Sequence, residues 1–124
     1  MKSIHAASAA LLSAALILSA CATTPPPPTA EMTRAKAAIE QAQRAGAREY
    51  ATEYLNASMA KMDLAEAASA KGNNAQAARL VDESYADAHL AQVTAQSAKS
   101  AKAAADVDKS IQMLQHEANR PNTQ

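Results

Sequence analysis

Apolar residues recur every three or four positions along a proline-free stretch at 30–71, the spacing of an amphipathic helix. Two phases are present. The first comprises Met32, Ala35, Ile39, Ala42 and Gly46, and the second comprises Leu55, Met59, Met62 and Ala65. About 4.4 helical turns separate Ile39 from Leu55, which puts them on nearly opposite sides of one straight helix. The pattern therefore predicts a kink or break at 46–52, where Gly46 suits a helix C-terminus and Thr52 can cap the next helix.

A second proline-free stretch predicts a much longer helix. Lys71-Gly72-Asn73-Asn74 has the residues of a helix stop, a turn and a new cap. No glycine or proline follows until Pro121, so we expect a helix of about 45 residues, close to 67 Å long. Its apolar and small residues are spaced alternately by three and four, as in a heptad repeat. They are Leu90, Val93, Ser97, Ser100, Ala104, Val107, Ile111, Leu114 and Ala118.

These elements predict an all-α fold. If the chain folds back at the turn, facing positions sum to about 146, so Met32 meets Leu114 and Ile39 meets Val107. This predicts a long antiparallel helical hairpin with a break or kink near 46–52. A compact three-helix arrangement, with the end of the last helix overhanging, is the alternative if the segment at 46–52 is a true loop.

The composition supports helices and limits the core. The chain has 35 alanines among 124 residues, three tyrosines, two glycines and no tryptophan or phenylalanine. Alanine favours helices, but each one buries only a methyl group. Twelve basic residues balance twelve acidic ones, and this absence of a basic excess argues against a nucleic-acid partner.

The first 20 residues are organised like a secretory signal peptide. An apolar or small-residue run at 6–17 is shorter than the roughly 20 residues needed to span a bilayer. It leads into Leu18-Ser19-Ala20-Cys21, which resembles the bacterial lipobox. That resemblance implies cleavage after Ala20, a diacylglycerol on the Cys21 sulfur, and acylation of the new amino group, typically with palmitate.

Cys21 is the only cysteine in the chain, so no intramolecular disulfide can form. A free thiol behind an ordinary signal peptide is the alternative to lipidation. Three acyl chains would anchor firmly, because each buried methylene contributes about 0.8 kcal/mol. Ala22 stands where lipoproteins kept at the inner membrane often have Asp. We therefore expect an outer-membrane anchor with the domain facing the periplasm.

A proline-rich linker follows, and residues 21–29 comprise the lipidated cysteine and this linker. Pro25 to Pro28 predict an extended polyproline II spacer that holds the domain roughly 25 Å from the membrane. An unstructured linker without a distance-setting role is the alternative. The alanine-rich helical domain then spans 30–119, and residues 120–124 form a disordered tail.

Candidate catalytic or metal-binding groups are incomplete. They are His116 with Glu117, His89 with Glu83 and Asp87, Asp106 with Asp108, and Tyr50 with Tyr54. The first lacks the second histidine of a metalloprotease motif, because that position is Arg120. The group around His89 lacks zinc ligands in a suitable geometry, and Asp106 with Asp108 lacks the glycine of a calcium loop. No pocket is expected around Tyr50 and Tyr54 that would make them a platform for a ligand. We expect no enzymatic activity, no metal, no small-molecule substrate and no cofactor apart from the covalent lipid.

The stretch at 34–91 resembles a family of bacterial envelope domains, domain of unknown function 4398. The residues that carry the resemblance are Ala42, Ala45-Gly46-Ala47, Tyr50-Ala51, Leu55, Ala57, Met62, Ala65, Gly72-Asn73, Ala77, Leu80 and Ala86-Asp87-Ala88. The family often has proline where this chain has Thr52. The resemblance implies a helical fold and a small envelope lipoprotein, and it brings no activity.

Two functions follow as hypotheses. The first is a non-enzymatic outer-membrane lipoprotein whose helical domain is an interaction or scaffold module for another envelope protein. Its partner would bind along Val107, Ile111 and Leu114 as a helix in a groove or a coiled coil. The second is a structural spacer of the envelope that self-associates into an alanine-rich coiled coil.

Overall fold

The computed structural model describes residues 25–120, and within that range all regular structure is α-helical. There are four helices, α1 (Thr29–Ala45), α2 (Ala47–Tyr50), α3 (Thr52–Ala70) and α4 (Asn74–Ala118). The predicted all-α fold class is confirmed. The long final helix is also present with nearly the predicted bounds.

The chain breaks between α1 and α3 because two residues leave the helical conformation. Gly46 has φ 98° and its N–H bonds to the carbonyls of Ala42 and Gln43, which ends α1. Ala51, with φ −149°, separates the single turn of α2 from α3. Thr52 was predicted to cap α3, and that is wrong: its hydroxyl donates instead to the carbonyl of Arg48 at 2.9 Å.

The turn predicted at 71–74 is present. Gly72 has φ 76°, a conformation that glycine adopts without strain. The N–H of Asn73 bonds to the carbonyl of Ala68, and the N–H of Gly72 bonds to that of Ser69, both at 2.9 Å. These bonds satisfy the last carbonyls of α3 and turn the chain into α4.

Helices α1 and α3 both pack against α4, whose buried residues all lie between Asn74 and Ala95. Ser58 of α3 faces Ser84 of α4, so these two helices are antiparallel. Helix α1 runs parallel to α4. Along it, the Arg34 guanidinium lies 4.5 Å from the Tyr85 ring centroid, and a Cβ built on Gly46 would lie 3.4 Å from Lys99.

The residues that the hairpin pairing places opposite α1 lie in an exposed part of α4. Met32 and Ile39 do not reach Leu114 and Val107, whose exposed fractions are 71% and 57%. The reason is the break around α2. It reverses the chain, so that α1 packs beside the base of α4 rather than beside its tip.

The core consists mainly of alanine. Its larger buried members are Ile39, Leu55, Met62 and Val81. Small side chains allow the helix backbones to approach closely, but each removes little apolar surface from water. The fold therefore depends on close helix contact rather than on large interlocking side chains.

A reciprocal pair of serine hydrogen bonds joins α3 and α4. Ser58 Oγ donates to the Ser84 carbonyl at 2.7 Å, and Ser84 Oγ donates to the Ser58 carbonyl at 2.9 Å. Both serines are completely buried. Each hydroxyl is thus satisfied by the opposite helix, which fixes the relative height of the two helices.

Candidate interaction surface

An apolar stripe follows α4 along the heptad positions predicted from the sequence. We call the following residues the α4 stripe: Leu90, Val93, Ser97, Ser100, Ala104, Val107, Ile111, Leu114 and Ala118. All nine are exposed. The three residues predicted to bind a partner, Val107, Ile111 and Leu114, lie together on its distal part.

The α4 stripe lies on the side of the helix opposite the packed face. Val81 is fully buried against the other helices, whereas Leu90 is 41% exposed. Nine residues at about 100° each put these two side chains on opposite sides of α4. The stripe is therefore accessible even where α4 is flanked by α1 and α3.

Beyond the packed region, α4 continues as a projecting helix. Every residue from 99 to 118 is exposed, a length of about 30 Å. Lys102 Nζ lies 2.9 Å from Asp106 Oδ2, and this hydrogen bond raises the pKa of Lys102. The ion pair one turn apart and the alanine content favour the helical conformation of this segment.

The carboxylates near His89 form an ion pair rather than a metal site. Lys61 Nζ of α3 lies 2.8 Å from Asp87 and 3.4 Å from Glu83. The hydrogen bond to Asp87 is the main reason why the pKa of Lys61 is raised. His89 lies on another side of α4. Within residues 25–120, no three histidine, cysteine or acidic side chains come together as metal ligands.

Tyr50 and Tyr54 do not form a joint platform. Ala51 interrupts the helix between them, so the two rings do not lie on one continuous helix face. Tyr50 packs against the core, and a hydrogen bond with Glu49 raises its pKa. Tyr54 is more exposed. The two rings therefore lie in different environments, Tyr50 against the core and Tyr54 nearer the solvent.

The four prolines of the linker, Pro25 to Pro28, lie against the domain. Asn74 Nδ2 donates to the Pro25 carbonyl at 2.6 Å, and Pro28 is buried. The segment also lines a groove with Ala78 and Asp82. The sequence predicted an extended spacer, and nothing in the helical pattern indicated that Asn74 would hold it. An asparagine at a helix start is ordinarily expected to cap the helix.

Some predicted features lie outside the described residues. These are the signal peptide at 1–20, with the lipobox residues Leu18, Ser19, Ala20 and Cys21, the start of the linker at 21–24, and the tail from 121 onward. Among residues 25–120, no helix combines the length and the apolar character needed to cross a bilayer.

The family model described as Domain of unknown function (DUF4398) matches residues 30–107. The match includes α1, α2, α3 and α4 as far as Val107, while Ile111 and Leu114 lie beyond it. No curated protein and no solved structure matches the chain. Because the family model spans well over half of the chain and agrees with the resemblance in the sequence, the protein belongs to the domain of unknown function 4398 family.

Proposed function

We propose that the protein is a non-enzymatic outer-membrane lipoprotein whose periplasmic helical domain acts as an interaction or scaffold module. The observation that carries this proposal is the α4 stripe. It presents Leu90, Val93, Val107, Ile111 and Leu114 to solvent along one face, on the side opposite the packed helices. Exposed apolar side chains grouped on one face, here in two patches separated by Ser97, Ser100 and Ala104, are typical of a protein-binding site.

The linker contact supports a defined orientation for this surface. Pro25 is held at the beginning of α4 by Asn74. Only four residue steps separate Pro25 from Cys21, a reach of at most about 14 Å. Helix α4 then extends about 67 Å from that point. In the proposed protein the base of the domain lies near the lipid anchor, and the tip of α4 extends into the periplasm.

The compact three-helix arrangement is part of the proposal. It is supported by the ion pair between Lys36 of α1 and Glu66 of α3. In the hairpin alternative, α1 and α3 form one rod in which Lys36 and Glu66 are about 45 Å apart. Facing positions then sum to about 146, so Lys36 faces Ser110.

Thiol crosslinking should separate the two arrangements. In the purified protein with acylated Cys21, we expect Lys36→Cys with Glu66→Cys to give an intramolecular product with a short bis-maleimide. The matched pair Lys36→Cys with Ser110→Cys should give none. The opposite result, measured by intact mass after crosslinking, would favour the hairpin.

Two acidic substitutions on the α4 stripe should prevent partner binding. We expect Ile111→Asp with Leu114→Asp to reduce in-cell photocrosslinking from position 107 at least tenfold, because burying unpaired carboxylates in an apolar contact is very costly. The measurement is the yield of adduct per chain, with fatty-acid labelling and export recorded in the same cells.

The matched control is Gln112→Asp with His116→Asp. It adds the same two carboxylates to the tip of α4 on faces outside the stripe. The control variant should give the same yield of photocrosslinked adduct from position 107 as the unsubstituted chain. Unchanged adduct in the stripe variant would show that the stripe is not the binding surface.

A further inference from the structure

We infer that the α4 stripe binds the α4 stripe of a second copy of this chain, in a parallel, in-register, two-stranded coiled coil. The inference rests on the proposed function, because a shared membrane anchor gives every copy the same orientation. It deepens that function by naming the partner and the geometry of the contact.

The length and position of the stripe fit this partner. From Leu90 to Ala118 it covers about four heptads, enough to sustain a coiled coil. The packed face of α4, which includes Val81, lies on the opposite side. Two copies can therefore join through their stripes while each keeps α1 and α3 on the outside of the pair.

At the tip of the stripe, one heptad has the residue types that favour two parallel strands, whereas Leu90 at position a and Val93 at position d have the reverse order. The alternating spacing puts Ile111 at heptad position a, with Val107 and Leu114 at d. A β-branched residue at a with leucine at d favours parallel dimers. In register, the large residues at each end of the stripe face their own copies.

The small residues in the middle of the stripe also match themselves. Ser97, Ser100 and Ala104 would face Ser97, Ser100 and Ala104, which lets the two backbones approach closely. The same chain already shows such a contact, because Ser58 and Ser84 hold two helices together through reciprocal hydroxyl-to-carbonyl bonds.

The charges beside the stripe favour the parallel orientation over the antiparallel one. In a parallel pair, Asp108 at position e faces Ala103 at position g of the other copy. In an antiparallel pair that brings Val107 against Ile111, the two Asp108 carboxylates face each other and repel. The other e and g positions beside the stripe carry little charge, so they provide no charge pattern that would favour a helix of another protein over a second copy of this chain.

A cysteine in the middle of the stripe tests the inference. We expect Ala104→Cys, in the full-length protein in cells, to form a disulfide-linked dimer of twice the chain mass on oxidation with copper phenanthroline. The matched control is Ala105→Cys, the same substitution one residue later and off the stripe, which should remain monomeric. Ile111→Asp combined with Ala104→Cys should reduce the dimer at least tenfold.

Each contrary outcome is distinct. If Ala104→Cys stays monomeric, or crosslinks to a chain of another mass, the partner is not a second parallel copy. If dimers appear instead between Val107→Cys and Ile111→Cys chains mixed in one cell, the antiparallel pair is formed and the inference is wrong.

The lipid anchor is judged separately in the same samples. Fatty-acid label on the unsubstituted chain reports the anchor, whereas the Ala104→Cys dimer reports the contact. Disulfide-linked dimers of the unsubstituted chain would reveal a free Cys21 thiol and would contradict the proposed lipoprotein rather than the coiled coil.

Discussion

Replacing Ser84 by leucine is expected to lower the free energy of unfolding by about 3 kcal/mol. Ser84 is completely buried, and its Oγ lies 3.2 Å from Ser58 Oγ. A larger side chain at this contact forces the helices apart, and overpacking costs roughly 1 to 3 kcal/mol. The separation also breaks both hydroxyl-to-carbonyl bonds, each with a net contribution of about 1 kcal/mol.

Thermal unfolding of the purified protein, followed by circular dichroism, measures this effect. For a domain of this size, we expect the midpoint of Ser84→Leu to fall by about 15 °C. Ser84→Ala is the control that keeps the side chain small, and it should lose only about 1 kcal/mol. If Ser84→Leu unfolds like the unsubstituted protein, α3 and α4 are not in close contact at this position.

The sensitivity of this contact follows from the composition of the core. Thirteen buried residues form the core cluster, and nine of them are alanine. Alanine has no rotamers with which to rearrange around an intruding side chain, so a shift must occur in the backbone. A single enlarged residue therefore displaces one helix backbone relative to the other and disturbs the packing of the whole helix pair.

The local pattern of the chain predicted the ends of α1 and α3 and the extent of α4, but it missed α2, and Thr52, predicted to cap α3, is the first residue of that helix. Gly46 and Gly72 both adopt positive φ. Both were recognised as helix ends because glycine is common just after a helix C-terminus, where the backbone often has positive φ. The long run without glycine or proline predicted α4. The heptad seam of α4 was also predicted, because large apolar residues stand out among alanines, although the hairpin pairing placed Val107 and Leu114 against α1.

The direction of α1 could not be predicted in the same way. Each alanine offers one methyl, so several ways of pairing alanine-rich helix faces bury similar apolar areas. The predicted pairing of Ile39 with Val107 was one of these ways. The direction of α1 follows from the break between α1 and α3, where Gly46 has φ 98° and Ala51, an ordinary residue type, has φ −149°.

The polar contacts that fix the packing were missed for a related reason. Ser58, Ser84 and Asn74 are residue types that are usually exposed, and the helical spacing does not show when two of them meet. Their roles arise only after the helices are brought together. The linker contact of Asn74 belongs to the same class, because it joins residues 49 positions apart in the chain.

Cys21→Ser is expected to abolish fatty-acid labelling completely and to leave the chain at the mass of its full 124 residues. Processing at a lipobox needs the modified sulfur, which a serine hydroxyl does not replace. The unsubstituted chain should instead lose 20 residues and gain the mass of a diacylglyceryl group on sulfur and of one acyl chain on the new amino group. Intact-mass measurement together with metabolic labelling by a palmitate analogue gives both results.

Ser19→Ala is the matched control for the anchor. It changes a neighbouring lipobox residue but keeps that position small, so labelling and cleavage should continue. An unsubstituted chain that carries no acyl mass, together with a thiol at Cys21 that reacts with maleimide, would contradict the anchor. Pro25, which Asn74 holds at the start of α4, is separated from Cys21 by at most about 14 Å of extended chain, so loss of the proposed anchor would also remove the common orientation proposed for the α4 stripes of neighbouring copies. We therefore expect Cys21→Ser to weaken the crosslink at Ala104→Cys even though the stripe itself is unchanged.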